Sequence, residues 1–514
     1  MRGWIPERIA SAALRVAWEG LPSMSNLDPS TDASDSRSVP PLWQVVLLSA
    51  LAGGMGWGIR GQYGHQTGAM MAGLLVALVL VTLLPAGFRS VDAARAVAFG
   101  AIGVAFGGSM TYGQTIGLTQ DKELIGNWSA LAWGMTGLFV KGALWIGLFG
   151  AFLGMGLSRV RYRVQEVALL FMVLVGLMFA GIFLFNQPYD LETRRLPAIY
   201  FSMTWEWMPN KSDLKPRFEN WGGLLLGLIA VTAYASRQRG DRLARNLALF
   251  GVLFGGLGFA GGQCFQACHA WNLESYRQGW FASIDPLMNW WNVMEITFGL
   301  VMGGGLGLGA WLNRGLIGPK TEAEELLSPG VEALFLGMHP LMLLGWEFLE
   351  LGPLSDYCDL AFTVWTVPAQ AVVAGRRFPY ALALPWVGLP IAGKTLRQLC
   401  YKTELVPILP GWLLFVVLPL AWLGWVAWRS IARSQQEDGQ AFARRALVAA
   451  AWTYYLLNFG FFEFPWPWLP PTGRTPSAIM FTLCVLALTA AALRRPSRGT
   501  SEGRLSHAAP AGSG

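Results

Sequence analysis

Apolar runs of about 17 to 25 residues recur from Leu42 to Leu493, and each is long enough to cross the ~30 Å hydrocarbon core of a bilayer as a helix. No other feature constrains the fold as tightly. Inside lipid a backbone must satisfy its own polar groups, so an isolated apolar run of this length is a helix. The chain has 54% apolar and 13% charged residues, against roughly 25% charged in soluble domains. Its 25 Trp and 62 Gly suit membrane interfaces and close helix contacts. The expectation is an all-α, polytopic integral membrane protein of about 14 transmembrane helices arranged as parallel-oriented helical hairpins.

The expected helices lie near 42–59, 67–87, 96–118, 129–157, 167–185, 221–236, 246–268, 289–312, 331–351, 360–374, 378–393, 408–428, 446–462 and 476–493. The segment 378–393 is short and carries Pro379, Pro385 and Pro390, so it reads as broken or re-entrant. Residues 1–40 read as a disordered cytoplasmic tail, of which 1–23 is either a tail or an over-extended gene start. Residues 41–313 are expected to form a first membrane bundle with hairpin repeats, 314–330 a cytoplasmic linker, 331–494 a second bundle and 495–514 a disordered tail.

Lys and Arg concentrate in the short connections after every second helix and in the C-terminal tail. The positive-inside rule then puts both termini in the cytoplasm of a plasma (inner) membrane protein. The connections on the other side are long, polar and Trp-rich: Asn186 to Asn220, His269 to Asn289, Gly352 to Asp359 and Glu463 to Thr475. Long segments that are not linkers carry function, so the working site is expected to open outward. The formal net charge of +7 arises largely from Arg in short loops. No basic stripe with interleaved aromatics stands outside the membrane, which excludes nucleic acid as a partner. The expected partners are the lipid bilayer and a polar small-molecule or lipid-linked substrate.

Three related segments fall on that outer side. Gly53 to Gln66 reads Gly-Gly-Met-Gly-Trp-Gly-Ile-Arg-Gly-Gln-Tyr-Gly-His-Gln; variants return at Gly107 to Gln114 and Gly255 to Gln263. Glycine lets helices touch, or lets a chain unwind and offer its amides and carbonyls. Arg60, Gln62, His65, Gln114 and Gln263 in these segments are therefore substrate-binding candidates, with Trp128 and Trp290 beside them. Exposed amides with an Arg suit an anion. Asn-Trp recurs at Asn127-Trp128, Asn220-Trp221 and Asn289-Trp290, where Asn suits a helix N-cap and Trp an interface.

Charges inside the layer are expensive and mark function. Lys141, about 20 Å into its helix, Glu295 and His339 are read as an intramembrane relay, with Lys141 and Glu295 paired. Glu206, Glu347 and Glu463 stand beside aromatic residues on the outer side and are the candidates for acid or base in a catalytic reading. Cys264 and Cys268, at i and i+4, share a helix face with His269 next in sequence, but no third partner follows at metal-site spacing, so neither metal nor cofactor is expected. A disulfide to Cys358 would fit an oxidising compartment. Gly256 to Gly261 matches Gly-x-Gly-x-x-Gly, yet within a membrane span it lacks the strand and helix that give that pattern meaning.

Three functional classes follow. The first is a transporter or flippase for a polar, anionic or sugar-containing solute. The second is a membrane-embedded transferase or hydrolase acting on a lipid-linked substrate. The third is a non-catalytic scaffold. A polar path reaching the cytoplasmic side marks the first, and a pocket confined to the outer face marks the second.

Overall fold

The computed structural model describes residues 40–84, 87–319, 383–432, 438–467 and 470–494. Its helices of eight residues or more are α1 (Leu42–Arg60), α2 (Gln66–Leu83), α3 (Ser90–Gly107), α4 (Gly113–Gln120), α5 (Trp128–Leu157), α6 (Val164–Phe185), α7 (Trp221–Ala233), α8 (Arg242–Trp271), α9 (Trp290–Leu312), α10 (Ala383–Leu396), α11 (Leu418–Ala432), α12 (Gly439–Phe461) and α13 (Thr475–Leu493). No β-strand is present among the described residues, only three isolated bridges. Among the described residues, nine helical runs are long and apolar enough to cross a bilayer: α1, α2, α3, α5, α6, α8, α9, α13 and Ile408–Arg429. The protein is accordingly a multi-pass, helical membrane protein. The expected helices at 331–351 and 360–374 lie outside the described residues.

Helix ends follow local chemistry. Asn127 and Asn289 accept from the amides of Ala130 and Asn292, so two of the three Asn-Trp pairs are ordinary N-caps. The third differs. Asn220 makes no side-chain cap and donates instead to the Ser109 carbonyl, while Asn186 accepts from the Gly222 amide at 3.0 Å. At the opposite end of the bundle, Asp241 caps α8 through the Ala244 amide and also accepts from Ser158 and Tyr162.

Glycine sets how the helices cross. On α1 and α9, a Cβ on Gly53 would strike the Gly299 carbonyl and one on Gly299 the Gly53 carbonyl. Gly142 and Gly255 stand in the same reciprocal relation on α5 and α8, and Gly150, Gly154 and Gly251 continue that contact along the pair. These crossings bring backbone against backbone, the small-residue packing typical of membrane helices. α2 and α3 occupy the centre and are buried along nearly their whole length, whereas α6 and α11 keep apolar side chains on the outside. α10 and α12 pack onto α2, α13 onto α1, and α11 onto α10 and α12.

Two expectations about helices need correction. The apolar run at 96–118 is not one helix. α3 starts earlier, at Ser90, and ends at Gly107; residues 108–112 are unwound, and α4 restarts at Gly113. The described part of 378–393 is helical from Ala383 with Pro390 inside it, then runs into a wider turn over Arg397–Lys402. α5 and α8, with 30 residues each, extend to about 45 Å at 1.5 Å per residue, well beyond the ~30 Å hydrocarbon core.

Candidate functional site

The three Gly-rich segments meet at one end of the bundle. Arg60 donates to the hydroxyl of Tyr112, His65 Nδ1 lies 3.1 Å from the Met110 carbonyl, and Gln263 donates to Thr119 Oγ1 at 2.7 Å. Segments 53–66, 107–114 and 255–263 thus converge on the break between α3 and α4.

Arg60 stands at the centre. It closes α1, only 2% exposed, and its guanidinium is 2.8 Å from Glu295 on α9. Three rings surround it: Trp57 at 4.8 Å, and Tyr112 and Trp145 at 5.5 Å each. A cation held against aromatic faces in a desolvated site gains about 0.5 to 2 kcal/mol per contact. Arg60 Nε has no hydrogen-bond partner. His65, in the α1–α2 connection, stacks on Tyr112 with ring centres 4.9 Å apart. Burial first, then the neighbouring Arg60, push the His65 pKa down to about 4; Arg217 and Lys394 act in the same direction, against the Met110 carbonyl. His65 is therefore neutral at neutral pH, in a strongly cationic setting.

A second ion pair lies beside the first. Lys141 Nζ is 2.6 Å from Glu219, 2.7 Å from Thr115 Oγ1 and 2.8 Å from the Thr111 carbonyl. Glu219 also accepts from the Phe201 amide at 3.0 Å and from Ser202 Oγ at 2.7 Å. Both side chains are essentially buried. The expected Lys141–Glu295 pair is not formed, because each group has a different partner nearer by. Glu219 immediately precedes Asn220 and α7, so Lys141 sits level with the start of that helix, 13 residues into α5.

The two pairs share one dipeptide. Thr111 gives its carbonyl to Lys141 and Tyr112 its hydroxyl to Arg60. The unwound backbone of 108–112 is held by the segment 186–220, a lid over this end. Asn220 donates to Ser109, Thr111 Oγ1 donates to the Phe218 carbonyl, and Gln114 bridges to Lys215 and Arg217. An open depression of about 670 Å³ lies between lid and break, lined by Thr111, Gln114, Tyr189, Lys215, Arg217 and Asn220 among others. A second cavity of about 10 Å³, room for one water, is lined by Gln62, Asn292, Asn458, Arg474 and Ser477 among others.

The remaining candidates are peripheral. Trp128 is 70% exposed and leans on Trp271. Trp290 donates to Asp285 at 2.8 Å and stacks on His269. Glu206 and Glu463 are exposed and line neither cavity. Glu347, His339 and Cys358 lie outside the described residues. Cys264 and Cys268 are exposed free thiols, and among the described residues no group of three His, Cys, Asp or Glu could hold a metal. Sequence reasoning missed Glu219, Tyr112, Trp57, Trp145 and Arg217. The aromatic inside each Gly-rich segment was the available signal for Trp57 and Tyr112.

No family model matches the chain, and no curated protein matches it. Among solved structures, the manganese transporter of Eremococcus coleocola, in complex with an aromatic bis-isothiourea substituted compound, aligns over 91% of this chain and 90% of its own at 13% identity, with a TM-score of 0.15. A mutant of that transporter aligns over the same shares at 14% identity and the same TM-score. At that TM-score the likeness carries no argument about this chain. What describes the site is its own geometry: two buried ion pairs joined through one break in a helix.

Proposed function

We propose that this protein is a membrane transporter for a polar, anionic solute, entered from the outer face through the depression between the 186–220 lid and the α3–α4 break. One observation carries the reading: an unwound helix segment stands between two buried ion pairs, directly beneath an open cationic depression. Interrupted helices whose freed backbone faces a cavity are how transporters build solute sites, since unwound backbone at membrane depth is tolerated only there. Lys215 and Arg217 attract an anion to the rim, and Gln114 offers it hydrogen bonds. Arg60, with neutral His65 nearby, lies buried behind the depression, next to Tyr112. The Lys141–Glu219 pair holds the lid shut on the bundle. The polar groups gather at this end while α2 and α3 pack tightly beyond it, as an outward-facing state requires. The positive-inside rule supports calling this end the outer one.

The test is uptake of radiolabelled carboxylates, sulfonates and phosphate esters by the full chain in proteoliposomes. At least one anion should be taken up, and the uptake should be lost in Lys141→Met and Glu219→Gln although both proteins insert. Absence of uptake of every anion, together with turnover of a lipid-linked sugar phosphate in detergent, would replace transport with membrane-embedded catalysis.

A further inference from the structure

The Arg60–Glu295 pair lies beneath an exposed glycine, and Trp291 and Asn292 also hydrogen-bond to the Glu295 carboxylate. Gly61, directly after Arg60, is exposed, and a Cβ on it would stand 2.5 Å from Glu295 Oε2. Glu295 itself is 1% exposed and gives Oε1 to Arg60. Any residue larger than glycine at 61 would cover the second oxygen. The charged and titratable groups facing Glu295 are Arg60 from α1, Arg474 ahead of α13 and Tyr112 from the α3–α4 break. His65, at the start of α2, stacks on that Tyr112. From α8, Gly258, Phe259 and Gly262 meet this stretch of α9 and bring no charge.

We propose that Glu295 is a proton-binding site, loaded beneath Gly61, and that its protonation frees Arg60 to take the anionic group of the transported solute. This rests on the transport reading above. The exchange balances: a proton from water goes onto Glu295 Oε2, the carboxylate becomes neutral, and the solute anion replaces it beside Arg60. The buried site stays neutral before and after. Trp57, Tyr112 and Trp145 hold the guanidinium in place throughout. A buried cation beside a neutral acid is less favourable than the same cation beside an anion, so proton and solute promote each other's binding by the same factor.

The experiment is infrared titration of the full chain in nanodiscs, without solute, from about pH 4 to about pH 10, the span between ordinary carboxyl and lysine values. The expected result is a protonated-carboxyl band that titrates in the wild type. It should shift in Glu295→Asp, vanish in Glu295→Gln and persist in Glu219→Gln. Its hydrogen–deuterium exchange should slow at least about tenfold in Gly61→Ala, because the added methyl covers Oε2. A band that survives Glu295→Gln, or a wild type with no such band, overturns the proposal, even if the protein transports. A band that behaves as expected in a protein that moves no anion leaves the proton site standing and removes transport.

Discussion

Replacing Lys141 by Met removes the cation paired with Glu219 while keeping the length and apolar bulk of the stem. Lys141 Nζ now serves three acceptors, at 2.6, 2.7 and 2.8 Å. Without it, Glu219 keeps two donors, the Phe201 amide and Ser202 Oγ, but remains a buried carboxylate with no counter-charge. Breaking a buried pair from one side costs about 3 to 5 kcal/mol, most of it the stranded charge. Glu219→Gln strands the ammonium instead and costs a similar amount. The double variant strands nothing, so its loss should be close to that of one single variant. The expected non-additivity is therefore about 3 kcal/mol, at the upper end for residues in contact. Equilibrium unfolding in mixed micelles, followed by tryptophan fluorescence at neutral pH, measures all four corners of the cycle. Losses that add to within about 0.5 kcal/mol would mean the two groups do not pair, and the lid would lose its latch.

Three further outcomes follow from the same geometry. Gly142→Ala and Gly255→Ala should each lose about 1 to 3 kcal/mol by pushing α5 from α8, whereas Gly176→Ala, with nothing within 4 Å of the added atom, should be neutral or slightly stabilising in a melting assay. His65 has a folded pKa near 4, below its ordinary 6.5, so the folded state binds fewer protons than the unfolded one between these values. Stability should fall by roughly 2 to 3 kcal/mol as pH drops from about 7 to about 4 and level off below; a His65→Gln variant with an unchanged pH slope in its melting temperature would refute this. Arg217→Ala and Lys215→Ala should each weaken binding of the transported anion about tenfold at low salt, less at high salt, without shifting the melting temperature.

Much of this architecture was legible in the sequence because it follows from solvent and sterics. Apolar length predicts the helices, and the shared Gly-Gly-aromatic-Gly-Gln pattern brings Arg60, Gln114 and Gln263 to one end of the bundle, where they stand. The pairing of charges was not legible. Lys141 and Glu295 are the two charges that apolar runs isolate, so they read as each other's partner, but each finds its partner outside those runs or at the end of one: Glu219 and Arg60. Glu219 is one of several acids in a long polar segment, and only the fold lays it against α5. The break at 108–112 was hidden because Gly107 to Tyr112, although less apolar than the run before it, contains neither a charge nor a proline, so nothing in it forbids a continuing membrane helix. Arg60 reaches Glu295 because Gly53 and Gly299 let α1 and α9 touch, a crossing that glycine content permits but does not locate.

Thr111 and Tyr112 are neighbours along the chain, and neighbouring α-carbons across a trans peptide stand 3.80 Å apart. One of them holds the lid's latch and the other the guanidinium cage. The peptide bond between them is planar, and only the φ of Tyr112 and its side-chain torsions separate the two hydrogen bonds. On the transport reading proposed above, the latch at Glu219 and the cage around Arg60 therefore hang on one short stretch of backbone, and an anion drawn to Arg60 would act on both.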